Sequence, residues 1–188
     1  ILVASLFLVG CGVQSIPKAK NKVEETVAEV TNQYKRRADL IPNLVKTVKG
    51  YASHEKETLT GVTQARASAT NTKIDISNAT PAQIQQYQQA QGQLSQALGK
   101  LMMIAERYPN LKADQNFRDL QAQLEGTENR ITHARRNHIS TIRQFNDLVT
   151  VFPTNLTNKV FFGYTKMAQW NVSEAEQKQN EQAPEVQF

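Results

Sequence analysis

The sequence predicts an all-α protein, an up-and-down antiparallel bundle of three long helices plus a short fourth. Apolar residues recur at alternating steps of three and four along most of the chain, which places them on one side of a helix. No stretch alternates apolar and polar residues with a period of two for long enough to indicate a sheet. Glycine and proline are scarce, at 8 and 6 of 188 residues, whereas the helix-favouring residues Ala, Gln, Glu, Lys and Leu are plentiful.

The first long helix is predicted over residues 18–70, where the apolar seam runs with little interruption from Val23 to Ala65. At 1.5 Å per residue this helix would reach about 75 Å, compared with about 40 Å and 58 Å for the next two. We therefore expect it either to project beyond the others or to bend. Pro42 offers a place for the bend, because it removes a helical hydrogen bond and crowds the carbonyl of Ala38.

The remaining helices are delimited by prolines and caps. Thr80 is a predicted N-cap, with Pro81 at the first position of the second helix. Residues 108–110 (Tyr-Pro-Asn) form the turn to the third helix, which ends at residues 152–154 (Phe-Pro-Thr). Thr154 can cap the fourth helix, around residues 156–164. Because the connections are short, consecutive helices are expected to be antiparallel neighbours.

An uncharged apolar run at the start of the chain ends near the only cysteine, Cys11. A membrane-spanning helix needs about 20 apolar residues, so this run fits the core of an export signal better than a permanent anchor. The chain opens at Ile1 without Met, Lys or Arg, and we expect the basic start of the signal to be missing from it. Leu8-Val9-Gly10-Cys11 resembles the bacterial lipobox, which implies cleavage after Gly10 and acylation of Cys11.

This pattern predicts four segments. Residues 1–10 are the N-terminally clipped lipoprotein signal, 11–17 a lipidated tether, 18–170 the helical bundle, and 171–188 a disordered tail that is too polar to bury an apolar core. Several acyl chains anchor a protein stably, so we expect an extracytoplasmic protein held to the membrane of a bacterial envelope. Gly12, rather than Asp, follows the cysteine, which favours the periplasmic leaflet of the outer membrane in a Gram-negative host.

The charge balance is mildly basic, with 22 Lys and Arg against 17 Asp and Glu, a net charge of +5. An exported chain meets anionic lipid or cell wall before nucleic acid, so we predict no nucleic-acid partner. The preferred explanation is a solvated surface with a small excess of lysine. With one cysteine the chain cannot form an internal disulfide, and its stability must come from packing.

Two blocks of the sequence resemble the LemA family. The first is Arg36-Arg37-Ala38-Asp39-Leu40-Ile41-Pro42-Asn43-Leu44-Val45, continuing through Gly50-Tyr51 and His54-Glu55. The second is Arg107-Tyr108-Pro109-Asn110-Leu111-Lys112-Ala113, followed by Leu124-Glu125-Gly126-Thr127-Glu128-Asn129-Arg130-Ile131, with further matches at Asn146, Phe152-Pro153 and Gly163. The resemblance covers nearly all of the chain after Cys11. It implies an antiparallel bundle of long helices in an envelope protein. The resemblance is informative about the fold, and it does not imply a particular biochemical activity.

Polar residues interrupt the apolar seams at Arg37, Glu55, Gln91, Thr127 and His138. A buried charge is costly unless it is paired, so we expect Arg37 to pair with Glu128 or with Glu55. Such a pair can set the register of the helices, as polar seam residues do in coiled coils, or it can belong to a functional cluster. The candidate polar cluster, structural or partner-binding, comprises Arg37, Asp39, Glu55, Glu128 and Arg130.

No catalytic or metal-binding pattern is present. His133, His138 and Met102 are residue types that could bind a metal or haem. The two histidines are five residues apart, however, which does not place them on one helix face, and the sequence has no Glu-x-x-His pair of the kind found in di-iron bundles. His54-Glu55 lacks the second histidine of a zinc protease motif, and there is no nucleophile elbow or phosphate loop. We therefore predict no enzyme activity, no metal and no cofactor other than acyl chains on Cys11.

The predicted function is a lipid-anchored helical scaffold or adaptor for another envelope protein. Arg135, Arg136 and Arg143 form a candidate basic surface on the third helix, which could serve an acidic partner or face water. The alternative is a direct binder of cell wall, anionic lipid or a small ligand. The sequence leaves open whether the protein is a homo-oligomer.

Overall fold

The computed structural model describes residues 2–72, 74–75 and 79–170, with side chains from Val13 onward, and all regular structure in these residues is helical. The elements are α1 (Leu2–Tyr51), α2 (Lys56–Asn71), α3 (Pro81–Ala105), α4 (Pro109–Ala113), α5 (Gln115–Thr150), α6 (Thr154–Thr157) and a π-helical turn (Asn158–Phe162). The predicted all-α bundle is confirmed.

The segment predicted as one helix over residues 18–70 is an antiparallel hairpin of α1 and α2. The chain reverses at residues 52–55, after the fully buried Ala52, and not at Pro42, which lies inside α1. Proline donates no hydrogen bond, so Pro42 leaves the carbonyl of Ala38 without its helical partner. Arg66 of α2 occupies that carbonyl, with its Nε 2.8 Å from the oxygen. Pro42 therefore leaves free an acceptor through which Arg66 joins the two helices.

Four helices pack together in one half of the molecule, which we call the four-helix half. Gln91 of α3 donates to the carbonyl of Ala69 in α2, and α1 pairs along its length with α5. The predicted second helix corresponds to α3, and it begins at the predicted residue. The Thr80 side chain and Gln83 form a reciprocal cap, with Pro81 at the first position of the helix. The core of this half consists of Ile41, Leu44, Val48, Ala52, Leu59, Val62, Ala69, Leu94, Leu98, Leu101, Ala105, Leu111, Phe117 and Leu124.

The α1–α5 pair extends beyond α2 and α3 to form what we call the two-helix half. Its core contains Ile16 and Val23 of α1 and Ile142, Phe145 and Val149 of α5. The chain then passes through α6, the π-helical turn and Gly163, whose φ of 67° lies in the left-handed region that glycine tolerates. Residues 163–170, which we call the strap, follow and pack against the same pair through Tyr164, Met167 and Trp170.

The start of the bundle differs from the sequence expectation. Residues 11–17, predicted as a lipidated tether, lie within α1, which is continuous from Leu2, and Ile16 is fully buried against α5. Thr154 is the first residue of α6 rather than its cap. In the part of the chain that the structure describes, no helix contains an apolar stretch long enough to cross a bilayer. The predicted tail at 171–188, the burial of Gly10 and the side chain of Cys11 lie outside the described portion.

Candidate functional site

Arg37 is the largest fully buried side chain among the described residues, with only 2% of its surface exposed. Its Nη1 donates to Ser95 Oγ and to Glu128 Oε2, each at 2.8 Å. Its Nη2 donates to Gln91, at 2.8 Å to the side-chain oxygen and 3.2 Å to the carbonyl. The guanidinium also lies 5.2 Å from the centre of the Tyr34 ring. One side chain of α1 thus connects that helix to α3 and α5.

Gln91 carries this network on to α2. Its amide oxygen accepts from Arg37, and its amide nitrogen donates to the carbonyl of Ala69 at 3.2 Å. A buried amide that both accepts and donates has satisfied much of its hydrogen-bonding capacity. With Arg66 on the Ala38 carbonyl, polar contacts join all four long helices at one level of the bundle. Such an arrangement is suited to setting the register of the helices, the structural role that polar seam residues have in coiled coils.

The structure places Glu128, and not Glu55, beside Arg37. Glu55 lies at the end of the four-helix half, where it accepts from Arg107 Nη2 and Tyr108 Oη, each at 3.1 Å. The hydrogen bond to the carboxylate raises the pKa of Tyr108. Glu55 therefore ties the turn between α1 and α2 to the turn after α3, a contact that the linear sequence does not reveal.

A second pair closes the same end. Tyr51 Oη donates to Asp114 Oδ2 at 2.9 Å, and Asp114 also accepts from the backbone amide of Phe117 at 2.9 Å as the N-cap of α5. These hydrogen bonds, the backbone one foremost, lower the pKa of Asp114. The role of Tyr51 and Asp114 was not anticipated from the sequence, although an Asp three residues before a seam residue is a recognisable N-cap signal.

The other two members of the candidate polar cluster lie on the surface. Asp39 is exposed on α1 and pairs with Lys35, one turn away, at 2.9 Å. Arg130 is exposed on α5. Residues two positions apart on a helix point in nearly opposite directions, which separates Asp39 from Arg37 and Arg130 from Glu128. The structure therefore brings together Arg37 and Glu128 only.

The candidate basic surface also divides. Arg136 and Arg143 are exposed and seven residues apart, so they share one side of α5. Arg135 is half-buried instead, with its guanidinium 5.7 Å from the centre of the Trp170 ring. Its charge lies over the strap, where a cation favours the face of an indole.

His138 is the buried basic side chain of the two-helix half. It has no exposed surface, and its Nδ1 lies 3.0 Å from Thr26 Oγ1, whose hydroxyl also lies 2.9 Å from the carbonyl of Val23. The imidazole meets the ring of Trp170 edge to face, with centres 6.0 Å apart. Burial lowers the pKa of His138 to about 4, so the ring is neutral near pH 7.

Two asparagines that sequence reasoning left without a role hold the strap in place. Asn146 Nδ2 donates to the carbonyl of Met167 at 3.0 Å, and the Met167 amide donates back to Asn146 Oδ1 at 2.9 Å. Asn158 makes the same reciprocal contact with Tyr164, at 2.9 and 3.0 Å. Each asparagine amide thus satisfies both backbone polar groups of one strap residue, because it offers one donor and one acceptor. The signals available were an asparagine within an apolar seam and the isolated Trp170.

The residues considered for a metal are not brought together. His133 is exposed, His138 is buried in the two-helix half, and Met102 packs on the core of the four-helix half. Within the described residues no group of three or more His, Cys, Asp or Glu side chains could surround one ion.

Comparison with known proteins identifies similar sequences. The profile of the LemA family matches residues 26–188. Protein LemA of Metamycoplasma hominis is 26% identical over 136 residues, a stretch that covers 72% of this chain and 58% of that relative. The match thus spans somewhat more than half of the relative's length. The residues matched by the family profile include the network around Arg37, the Glu55 turn and the asparagines that hold the strap.

Proposed function

The chain belongs to the LemA family, and we propose that it is a lipid-anchored bacterial envelope protein that acts as a helical scaffold or adaptor without catalysis. The observation that carries this proposal is that polar residues of the two LemA-like blocks bind other residues of the same bundle. Arg37 binds three residues of neighbouring helices, and Glu55 binds two residues of the next turn. Side chains with such contacts stabilise the arrangement of the helices. A ligand could reach them only by displacing several of these hydrogen bonds.

The outward faces of the long helices are then the surfaces that a partner would recognise. On α5, Arg130, Arg136 and Arg143 are exposed, and a long rigid helix that presents charges at fixed spacing suits helix-to-helix recognition. An acidic helix or an acidic loop of another envelope protein is the chemistry that complements this face.

The proposed acyl anchor at Cys11 supports the same role. Residue 11 lies within α1, the helix that also carries Arg37 and lines both halves of the bundle. An anchor on this helix would hold the whole bundle in a defined orientation to the membrane, which an adaptor needs and which a freely diffusing binder does not.

A crosslinking experiment in the native envelope tests the proposal. We expect the acylated protein to yield a specific crosslinked protein partner, and the double change Arg136→Glu and Arg143→Glu to reduce that yield by about tenfold, as expected when two favourable charge contacts become repulsive. The matched control is Lys46→Glu with Lys49→Glu, two exposed cations of α1 in the four-helix half.

Equal crosslinking by both double variants would refute recognition through α5. Should no protein be crosslinked while the purified protein sediments with isolated cell wall and is released at moderate salt, the direct-binder alternative would replace the adaptor. Salt screens exposed charges over about 8 Å at physiological ionic strength, so wall binding through the net charge of +5 must be salt-sensitive.

A further inference from the structure

Exposed apolar side chains gather at one end of the two-helix half, near Val13 of α1 and the end of α5. The exposed fractions there run from 37% to 74%, for Val13, Val151, Phe152, Leu156, Val160 and Phe161. Elsewhere in the described residues only Tyr51 and Met103 are large, apolar and exposed. We call this end, formed by residues 13–16 and 148–161, the tip. Single exposed apolar residues are ordinary, but a contiguous group indicates an interaction surface.

The exposed side chains of the tip stand on a packed support. Thr157 and Asn158 are buried, and Asn158 holds Tyr164 by its reciprocal hydrogen bonds. The ring of Phe162 stacks on that of Tyr164, with centres 5.6 Å apart. Leu156 lies in α6, and Val160 and Phe161 lie in the π-helical turn that continues it. The apolar face is thus presented by a folded element.

The charges around the tip are mostly positive. Residues 13–23 and 148–166 contain five lysines and no acidic residue: Lys18, Lys20, Lys22, Lys159 and Lys166. The nearest carboxylates in the sequence are Glu24 and Glu25 of α1, which pair with Lys20 and Lys22, and the exposed Asp147 of α5. Lys159 and Lys166 are exposed beside the apolar face. An apolar face bordered by lysines complements an anionic lipid surface.

The position of the tip on α1 adds a geometric argument. Residue 11 lies two positions before Val13 on the same helix, or about 3 Å along its axis. A lipid attached there would bring its helix end, and with it Phe152 and its neighbours, to the level of the bilayer interface. No flexible tether intervenes, since Ile16 is already part of the core.

We propose that the tip is a membrane-contact surface, which inserts its apolar side chains into the interface of an anionic bilayer while its lysines contact lipid phosphates. The inference rests on the proposed function, because it takes the acylated Cys11 as the group that delivers the tip to the membrane. The bundle then stands end-on with its four-helix half, and the Glu55 turn, farthest from the lipid.

Site-specific fluorescence on the acylated full chain tests this contact. Acylation consumes the thiol of Cys11, so Leu156→Cys provides one reactive site at the tip and Met103→Cys provides a matched exposed site in the four-helix half. Each is labelled with the fluorophore NBD and reconstituted in vesicles of equal parts phosphatidylglycerol and phosphatidylcholine. We expect the label at position 156 to shift to the blue and to be quenched by nitroxide-bearing lipid, while the label at position 103 behaves as in water.

Equal behaviour of the two labels would overturn the proposal. A blue shift at position 156 that is already present without vesicles would also overturn it, since the tip would then be covered by a second copy or by the chain itself. Lys159→Glu with Lys166→Glu should lower the ratio of inserted to withdrawn tip by about tenfold or more, because each lysine near an anionic surface contributes about fivefold. An unchanged ratio would remove the electrostatic half of the argument.

Failure of the anchor is a separate result. Mass spectrometry of the purified protein shows whether Cys11 is acylated, and Cys11→Ser should release the protein from membranes or block its processing. If Cys11 proves unmodified, the lipid-anchored part of the proposed function fails. The two labelled variants are then prepared with Cys11→Ser, and the contrast between positions 156 and 103 still decides whether the tip contacts lipid.

Discussion

The two halves of the molecule each bury one basic side chain on the α1–α5 seam, and they treat it differently. Arg37, in the four-helix half, donates four hydrogen bonds to Gln91, Ser95 and Glu128. His138, in the two-helix half, has one hydrogen-bond contact, to Thr26, and meets the ring of Trp170 edge to face. Arginine stays charged in proteins, whereas burial keeps His138 neutral by lowering its pKa to about 4.

The difference follows from how many elements meet at each level. Around Arg37, α3 and α5 both supply acceptors, and Gln91 connects the set to α2. Around His138, α1 contributes the hydroxyl of Thr26, and the strap contributes the indole of Trp170, which also contacts Tyr87 of α3. A buried cation is tolerated where acceptors converge on it and is neutralised where they do not. The number of hydrogen-bond acceptors around a buried basic side chain therefore decides whether that side chain can stay charged.

Removal of Arg37 should give the largest effect. We expect Arg37→Ala to lower the free energy of unfolding by about 3–5 kcal/mol, the range found when one partner of a buried pair is removed. Gln91 and Ser95 would each lose one hydrogen-bond partner, and a cavity would remain. Urea denaturation followed by circular dichroism measures the change, with the exposed neighbour Arg36→Ala as the control. A loss below about 1 kcal/mol would contradict the idea that this network sets the register.

Acid should destabilise the two-helix half through His138. Its folded pKa of about 4 lies below the unfolded value of 6.5, so the unfolded state binds more protons between these values and stability falls as the pH drops from about 6.5 to 4. The loss attributable to this group is up to about 3 kcal/mol. The facing groups are Thr26, the ring of Trp170 and the guanidinium of Arg135 above that ring.

The difference between the wild type and His138→Leu isolates this contribution from the carboxylates that titrate in the same range. We expect the pH dependence of the urea midpoint to be shallower in His138→Leu and unchanged in the control, exposed His133→Leu. An NMR titration of the histidine ring protons gives the folded pKa directly. A value near 6.5 for His138 would show that the strap opens readily and would remove the contrast with Arg37.

The smallest effect is expected from Glu128→Gln, which asks how much of the Arg37 network is ionic. The Glu128 side chain is 53% exposed, and exposed ion pairs contribute about 0–1 kcal/mol. Glutamine retains an oxygen that can accept from Arg37 Nη1, so we expect a loss below about 1 kcal/mol. Urea denaturation at low and high salt measures it, with Glu125→Gln on the same helix as control. A loss as large as that of Arg37→Ala would make the ion pair the dominant contact.

Much of the helical pattern was predictable from local signals. The cap formed by Thr80 and Pro81 appears where the sequence placed it, and Arg37 was recognised as a polar interruption of an apolar seam. The hairpin between α1 and α2 was missed, because the seam continues through residues 52–55 and Pro42 looked like the stronger break. A seam shows which residues are buried, but it does not show against which helix.

Partner choice was the other failure. Glu55 and Glu128 were equal candidates for Arg37, and only the turn at residues 52–55 sends Glu55 to Arg107 and Tyr108. The strap was not anticipated either, because its attachment uses backbone groups. Asn146 recognises the amide and carbonyl of Met167, which carry no sequence signature.

The sequence by itself determined the helical class, the helix ends marked by caps and prolines, and the membership of the seams, since these depend on residues within a few positions of one another. The tertiary structure decided the chain reversal after Ala52, the acceptors around Arg37, the neutral state of His138 and the gathering of exposed apolar residues at the tip. Each of these depends on which distant groups share a small volume, and hydrogen bonding and desolvation act only over such short distances.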